Sequence, residues 1–172
     1  MRSGYFIAVV LILLLAAAAA LCTERQEEGA AAWQETPITD LVTGEAFTIA
    51  GLAAAGDPVL IQTYADWCPA CSAQLAEIAR LQESSPETAT FVLLSPDPAA
   101  DPETMQQRFL AAGVTGHAAI PPPGFSRAMI GDLGRAPFAT YPSLFVVDES
   151  GNASLLSDAP LSAAGIAARL SG

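Results

Sequence analysis

The run VLIQTYADWCPAC, residues 59–71, constrains this chain more than any other stretch. Val59 to Ala65 is largely apolar and rich in β-branched and aromatic residues. It reads as a strand buried on both faces, the pattern of a central strand in a helix-covered sheet. Two cysteines follow at i and i+3, Cys68 and Cys71. Pro69 lies between them, a residue favoured in the first turn of a helix. Leu75, Ile78, Ala79 and Leu81 then recur at helical spacing. A cysteine pair at a strand-to-helix junction has a chemical consequence. Cys68 sits where unpaired N–H groups and the helix dipole stabilise a thiolate, the form that attacks a disulfide. Cys71, one turn further in, is placed to resolve the resulting mixed disulfide. Pro69 and Ala70 bring no charge and set the stiffness and start of the helix.

Around this junction the elements alternate. ITDLVTGEAFTIAGL, from residue 38, reads as a β-hairpin turning at Thr43-Gly44. TFVLLSP, 90–96, is a second buried strand. DPETMQQRFLAAG, 101–113, is a helix with Asp101 as cap, Pro102 in the first position and Gly113 past the end. PSLFVVDESGNASLL is a hairpin turning around Ser150–Asn152, with a short edge strand. PLSAAGIAARL closes the chain as a helix with Leu161, Ile166 and Leu170 inward. The stretch from His117 to Tyr141 is rich in Pro and Gly, and only FSRAMIGDL within it looks helical. The fold class is therefore α/β, a mixed central sheet flanked by helices, with an N-terminal β-hairpin extension.

The third cysteine, Cys22, belongs to a different segment. Tyr5 to Leu21 runs seventeen residues without a charge, roughly 25 Å as a helix at about 1.5 Å per residue. Arg2 precedes it and TERQEE follows, so a signal peptide and an uncleaved membrane anchor both fit residues 1–22. Either places the body outside the cytoplasm, tethered to the cytoplasmic membrane or released from it. Residues 23–36 read as a flexible tether and 37–172 as one domain. AALC resembles a lipobox, which would make Cys22 a lipid anchor, although Leu21 fits poorly before it. With Cys22 set aside, one cysteine pair remains in the body and no structural disulfide framework surrounds it. The chain has seven arginines, no lysine and eighteen acidic residues, for a net charge of −11. That balance excludes a nucleic-acid partner and serves solubility. A monomer is expected.

The combination of an apolar strand, Trp67, Cys-Pro-Ala-Cys and a helix resembles the thioredoxin superfamily. TYPSLFVVDESG is similar to that superfamily's cis-proline segment. The resemblance implies a cis bond before Pro142, facing the cysteine pair, with Tyr141 presenting its backbone to a substrate chain. The front hairpin is similar to that of the TlpA/ResA type, membrane-tethered extracytoplasmic disulfide reductases. The implied activity is thiol–disulfide exchange on protein substrates, fed by a membrane-side electron donor and needing no cofactor. Cytochrome c maturation and general thiol upkeep are the settings such proteins suggest. One departure is Gln62, where thioredoxin keeps a buried Asp, so no carboxylate stands there to move a proton to Cys71. Asp66 is expected to face solvent at a turn. Trp67 reads either as an apolar platform over the site or as packing beside the strand. A copper site of Cys68, Cys71 and His117, as in metallochaperones of the same fold, is the alternative function. Against it, His117 reads as a solvated loop residue, and no metal is assigned. A peroxiredoxin is excluded because Ala65 stands where a Thr is needed three residues before the cysteine. Arg127 and Arg135, in the Pro/Gly-rich stretch, read as partner-facing or merely solvated.

Overall fold

Strand β3, Val59–Thr63, is buried along its whole length, as its continuous apolar run requires. It lies at the centre of a five-stranded sheet in the computed structural model, which describes residues 31–135 and 138–171. Two short strands, β1 (Ile38–Thr39) and β2 (Ala46–Phe47), and helix α1 (Ile49–Ala53) precede it. Helix α2 (Pro69–Ser84), strand β4 (Thr90–Leu94), helix α3 (Pro102–Ala111), strand β5 (His117–Ala119) and helix α4 (Phe125–Leu133) follow. Strands β6 (Leu144–Val147) and β7 (Ala153–Ser157) and helix α5 (Ala163–Leu170) complete the chain. The sheet order is β5-β4-β3-β6-β7. β4 and β5 run parallel to β3, β6 runs antiparallel to it, and β7 pairs antiparallel with β6. This is the mixed, helix-covered sheet expected from the sequence.

Successive side chains of a strand point to opposite faces, and the core divides accordingly. Leu60, Phe91 and Leu93 face one layer, where they meet Leu75 and Ile78 of α2, Met105 and Phe109 of α3, and Ile166 of α5. Val59, Ile61, Val92 and Leu94 face the other, against Ile49 of α1 and Phe125 and Met129 of α4. Each such buried side chain contributes about 1.5–3 kcal/mol relative to exposure. Both cysteines of the motif belong to the first layer.

Three expectations are corrected. First, packed chain begins before Pro37. Trp33 is 1% exposed, stacks edge-on against Phe125 and donates its indole N–H to Asp132 Oδ2 at 2.8 Å. Gln34 donates to the Gly151 carbonyl at 2.9 Å. Residues 33–34 thus pin the chain across the second face, and the boundary at residue 36 falls inside packed structure. Second, the front hairpin is short: after β2 the chain turns into the single-turn helix α1, capped by Thr48, whose hydroxyl accepts the Gly51 N–H at 2.9 Å. Third, His117 is not in a loop. It opens β5, pairs with β4, stacks on Phe47 with ring centroids 4.5 Å apart, and sets Nδ1 2.7 Å from Asp40 Oδ2. Leu41 N–H donates to the Ala118 carbonyl at 2.8 Å. The front hairpin therefore covers the sheet edge at β5, which would otherwise offer unpaired strand groups.

The leader, Cys22 and most of the stretch read as a tether lie outside the described residues. No helix among the described residues is long and apolar enough to cross a membrane.

Candidate functional site: the Cys68–Cys71 junction

Thr63 ends β3, and five residues later Cys68 serves as the N-cap of α2. Its backbone is extended (φ −102°, ψ 97°), Pro69 occupies the first helical turn, and Cys68 Sγ accepts the Cys71 N–H at 3.0 Å. The two cysteines form a disulfide with Cα atoms 5.3 Å apart. The spacing is that of about one helical turn and lies within the range a disulfide requires. Cys68 keeps 5% of its surface exposed and Cys71 none. Cys68 Sγ thus sits at the N-terminus of a sixteen-residue helix, against the Cys71 N–H.

Tyr141-Pro142 is a cis peptide bond. The segment is held against β3: Ser143 N–H donates to Thr63 Oγ1 at 2.8 Å, and Thr63 N–H donates to the Ser143 carbonyl at 2.9 Å. Thr140 anchors the other side, donating to the Asp158 carbonyl at 2.8 Å. Thr63 and Ser143 escape a sequence reading, because small polar residues at a strand end carry no periodic signal. Trp67 is 71% exposed and meets Tyr141 edge-to-face, with centroids 5.4 Å apart. The exposed indole is not packed beside the strand. Burial, with a smaller push from the Asp97 charge, raises the Tyr141 hydroxyl pKa. The structure thus brings Trp67, Cys68, Cys71, Tyr141 and Pro142 to one end of the sheet, with Pro69 exposed and Ala70 packed on the core.

Asp66 differs from expectation, whereas Gln62 stands where it was expected. Asp66 is partly buried and accepts the Asp101 N–H at 3.2 Å, tying the cysteine loop to the start of α3. It acts there as a brace, and its charge adds to the burial that raises the Tyr64 hydroxyl pKa. Gln62 is fully buried behind the pair and donates Nε2 to the Cys71 carbonyl at 2.9 Å, while its Oε1 has no protein partner. The amide is held by α2 and does not titrate. Gln62→Glu should therefore create a new pH dependence. Burial would raise the new carboxyl's pKa above its unfolded value, so the folded state would hold its proton longer. Stability is then present below the unfolded pKa and lost as pH rises through the folded one. The loss is about 1.4 kcal/mol for each pH unit that separates the two pKa values. Chemical denaturation at pH 4 and pH 8 should show the variant losing about 3 kcal/mol more than the parent. An equal pH response in both would contradict a dry site behind Cys71.

The copper alternative does not fit this arrangement. His117 is bound to Asp40 at the β5 edge, and no group of three His, Cys, Asp or Glu among the described residues could hold a metal.

No protein-family model and no curated sequence matches the chain. Solved structures do. A secreted Mycobacterium tuberculosis disulfide oxidoreductase, described as homologous to E. coli DsbE, is 19% identical with a TM-score of 0.63, covering 81% of this chain and 96% of its own. Mycobacterium tuberculosis DsbF, solved in mixed oxidised and reduced forms, is 22% identical with a TM-score of 0.65, covering 83% and 97%. A thioredoxin-family thiol:disulfide interchange protein of Chlorobium tepidum is 20% identical with a TM-score of 0.65, covering 84% and 95%. At these identities what is shared is the fold. The protein has a thioredoxin fold. Within that fold it carries a disulfide-forming Cys-Pro-Ala-Cys pair at the start of the helix that follows the central strand.

Proposed function

We propose that this protein is an extracytoplasmic, membrane-tethered thiol–disulfide oxidoreductase that reduces disulfides in other proteins. The observation that carries the reading is the Cys68–Cys71 disulfide at a helix N-terminus, with Cys68 the more exposed sulfur residue. In the reduced protein the Cys68 thiolate attacks one sulfur of a substrate disulfide. The substrate S–S bond breaks, a Cys68–substrate bond forms, and one substrate thiolate leaves and takes up a proton. Cys71 gives up its proton and attacks Cys68 Sγ. That step releases the second substrate thiol and closes the Cys68–Cys71 bond. Two electrons pass from the pair to the substrate. An external dithiol must return them, and a leader of the kind seen in residues 1–22 favours a membrane-side donor over cytosolic reductants. Tyr141 and Pro142 would line the path of the substrate backbone, and Trp67 would cover the attacked disulfide. Pro69 and Ala70 would keep the loop short and uncharged. Cys22, if lipidated, would supply the anchor.

The similar solved proteins described as disulfide oxidoreductases support this reading. Its test is a stoichiometric electron transfer. The full chain, reduced and freed of reductant, should reduce close to one insulin disulfide per molecule, and Cys68→Ser should reduce essentially none. Equal reduction by both would remove Cys68 from the reaction.

A further inference from the structure

A groove of about 290 Å³ opens where the loops after β4 and β5 meet. Pro96 and Pro98 line it from the first loop and Pro121, Pro122 and Pro123 from the second. Arg127, in the first turn of α4, stands at one side. Because β3, β4 and β5 run parallel, their C-terminal ends share one edge of the sheet, the edge from which the Cys68 loop also leaves. Ligands of open α/β sheets bind at that edge. Neighbouring strands lie about 4.8 Å apart, so the groove is displaced roughly 5–10 Å along the sheet from the line of β3, and α4 borders it on the face opposite α2. An extended polypeptide, at about 3.3 Å per residue, needs about three residues or more to reach Arg127 from the attacked cysteine.

The β4–α3 loop joins the groove to the cysteine site. On the groove side Ser126 Oγ donates to the Pro96 carbonyl at 3.2 Å. On the cysteine side Asp101 N–H donates to Asp66 Oδ2. Proline rings form stiff apolar walls and offer no N–H for strand pairing, so such a groove selects side chains rather than backbone. Its charge is also distinctive. The ion pairs among the described residues are Arg80–Glu77 and His117–Asp40, so Arg127 has no carboxylate partner there. The nearby Asp97 carboxylate is engaged by the Ala99 N–H at 2.9 Å. An unpaired, exposed arginine beside an apolar groove is complementary to a carboxylate, in a chain whose net charge is −11. The repulsion from that net charge fades beyond about 8 Å at physiological salt, whereas Arg127 acts at contact.

We propose that this groove is a subsite for the substrate polypeptide. It takes an extended segment bearing an apolar side chain and a carboxylate, the carboxylate about three to five residues from the cysteine that Cys68 attacks. The proposal rests on the reading of the chain as a reductase of protein disulfides. It is tested with the full chain and matched peptide disulfides that carry Glu or Lys about three to five residues before or after the attacked cysteine. The parent should reduce one Glu peptide with a kcat/KM about fivefold above its Lys partner, the range of a single exposed ion pair. Arg127→Glu should reverse that ratio, and about 1 M salt should erase it in both proteins. A second readout needs no redox chemistry. The Glu peptide with serine in place of cysteine should shift the amide resonances of Gly124 and Ser126. Reduction with the same charge ratio in parent and Arg127→Glu overturns the subsite and leaves the oxidoreductase reading intact. Amide shifts without reduction of any peptide do the reverse.

Discussion

In the full chain carrying Cys71→Ser, substrate proteins should accumulate as mixed disulfides on Cys68, while Cys68→Ser should trap almost none. The asymmetry follows from position. Cys68 caps α2, its Sγ receives the Cys71 N–H, and it retains some exposure; Cys71 retains none. The sulfur at the helix start, the more accessible of the two, attacks first, and the buried one a turn later completes the exchange. Removing Cys71 leaves the first step intact and blocks the second, so the covalent intermediate survives. Turnover should fall by on the order of 10³-fold in either variant, because two groups acting in series do not contribute additively. Gel shifts under non-reducing conditions, reversed by dithiothreitol, read the trap. Equal trapping by the two variants would overturn the assignment of Cys68 as the nucleophile.

The largest structural effect is expected at a residue with no chemistry. Gly116→Ala should destabilise the protein by about 3 kcal/mol or more, from left-handed strain and a backbone clash together. Gly116 has φ +127°, a conformation that residues with a Cβ rarely adopt, and an added Cβ would collide with the Phe91 carbonyl oxygen. Neither partner can give way: Phe91 is in the central sheet and stacks on Phe109 across the core. Gly113→Ala is the control. Its φ is +71°, but an added Cβ there meets nothing, so only the backbone strain, about 1–2 kcal/mol, should be felt. Urea denaturation of the three proteins checks the difference. Equal losses at 113 and 116 would mean that the approach to Phe91 does not constrain β5.

The contrast between these two regions shows what a chain of this kind discloses before its structure is known. The β3–α2 junction is legible because its signals are local. A buried apolar run, a proline at the first helical turn and cysteines one turn apart all lie within thirteen residues. The helix α3 is legible for the same reason, from Asp101, Pro102 and Gly113. β5 is not. It has three residues, too few for a period of two to appear, and what fixes it is the approach of Gly116 to Phe91 and the cover supplied by Leu41 and Asp40. His117 looks solvated in sequence and is in fact committed to that cover. Trp33 is hidden in a similar way: its neighbours are polar or small, and only Asp132 and Phe125, about a hundred residues away, explain its burial. α1 reads as strand because a single turn is too short for a helical period to stand out, and the Thr48 cap decides it. At the site, Tyr141 and Pro142 are legible through a resemblance. The hydrogen bonds of Thr63 and Ser143 that hold them against β3 depend on a pairing eighty residues apart.

Cys68 and Cys71, on this reading, form a reversible two-electron pair poised to reduce protein disulfides. Equilibrating the full chain against graded dithiothreitol or glutathione buffers, with quenched thiols counted by mass, measures that poise directly. A single two-electron transition is expected, with a midpoint below about −200 mV, in the range of thioredoxin-like reductants. A midpoint near about −120 mV, that of a strong disulfide donor, would contradict the direction of transfer. A pair that never re-forms its disulfide on oxidation would contradict the redox role itself.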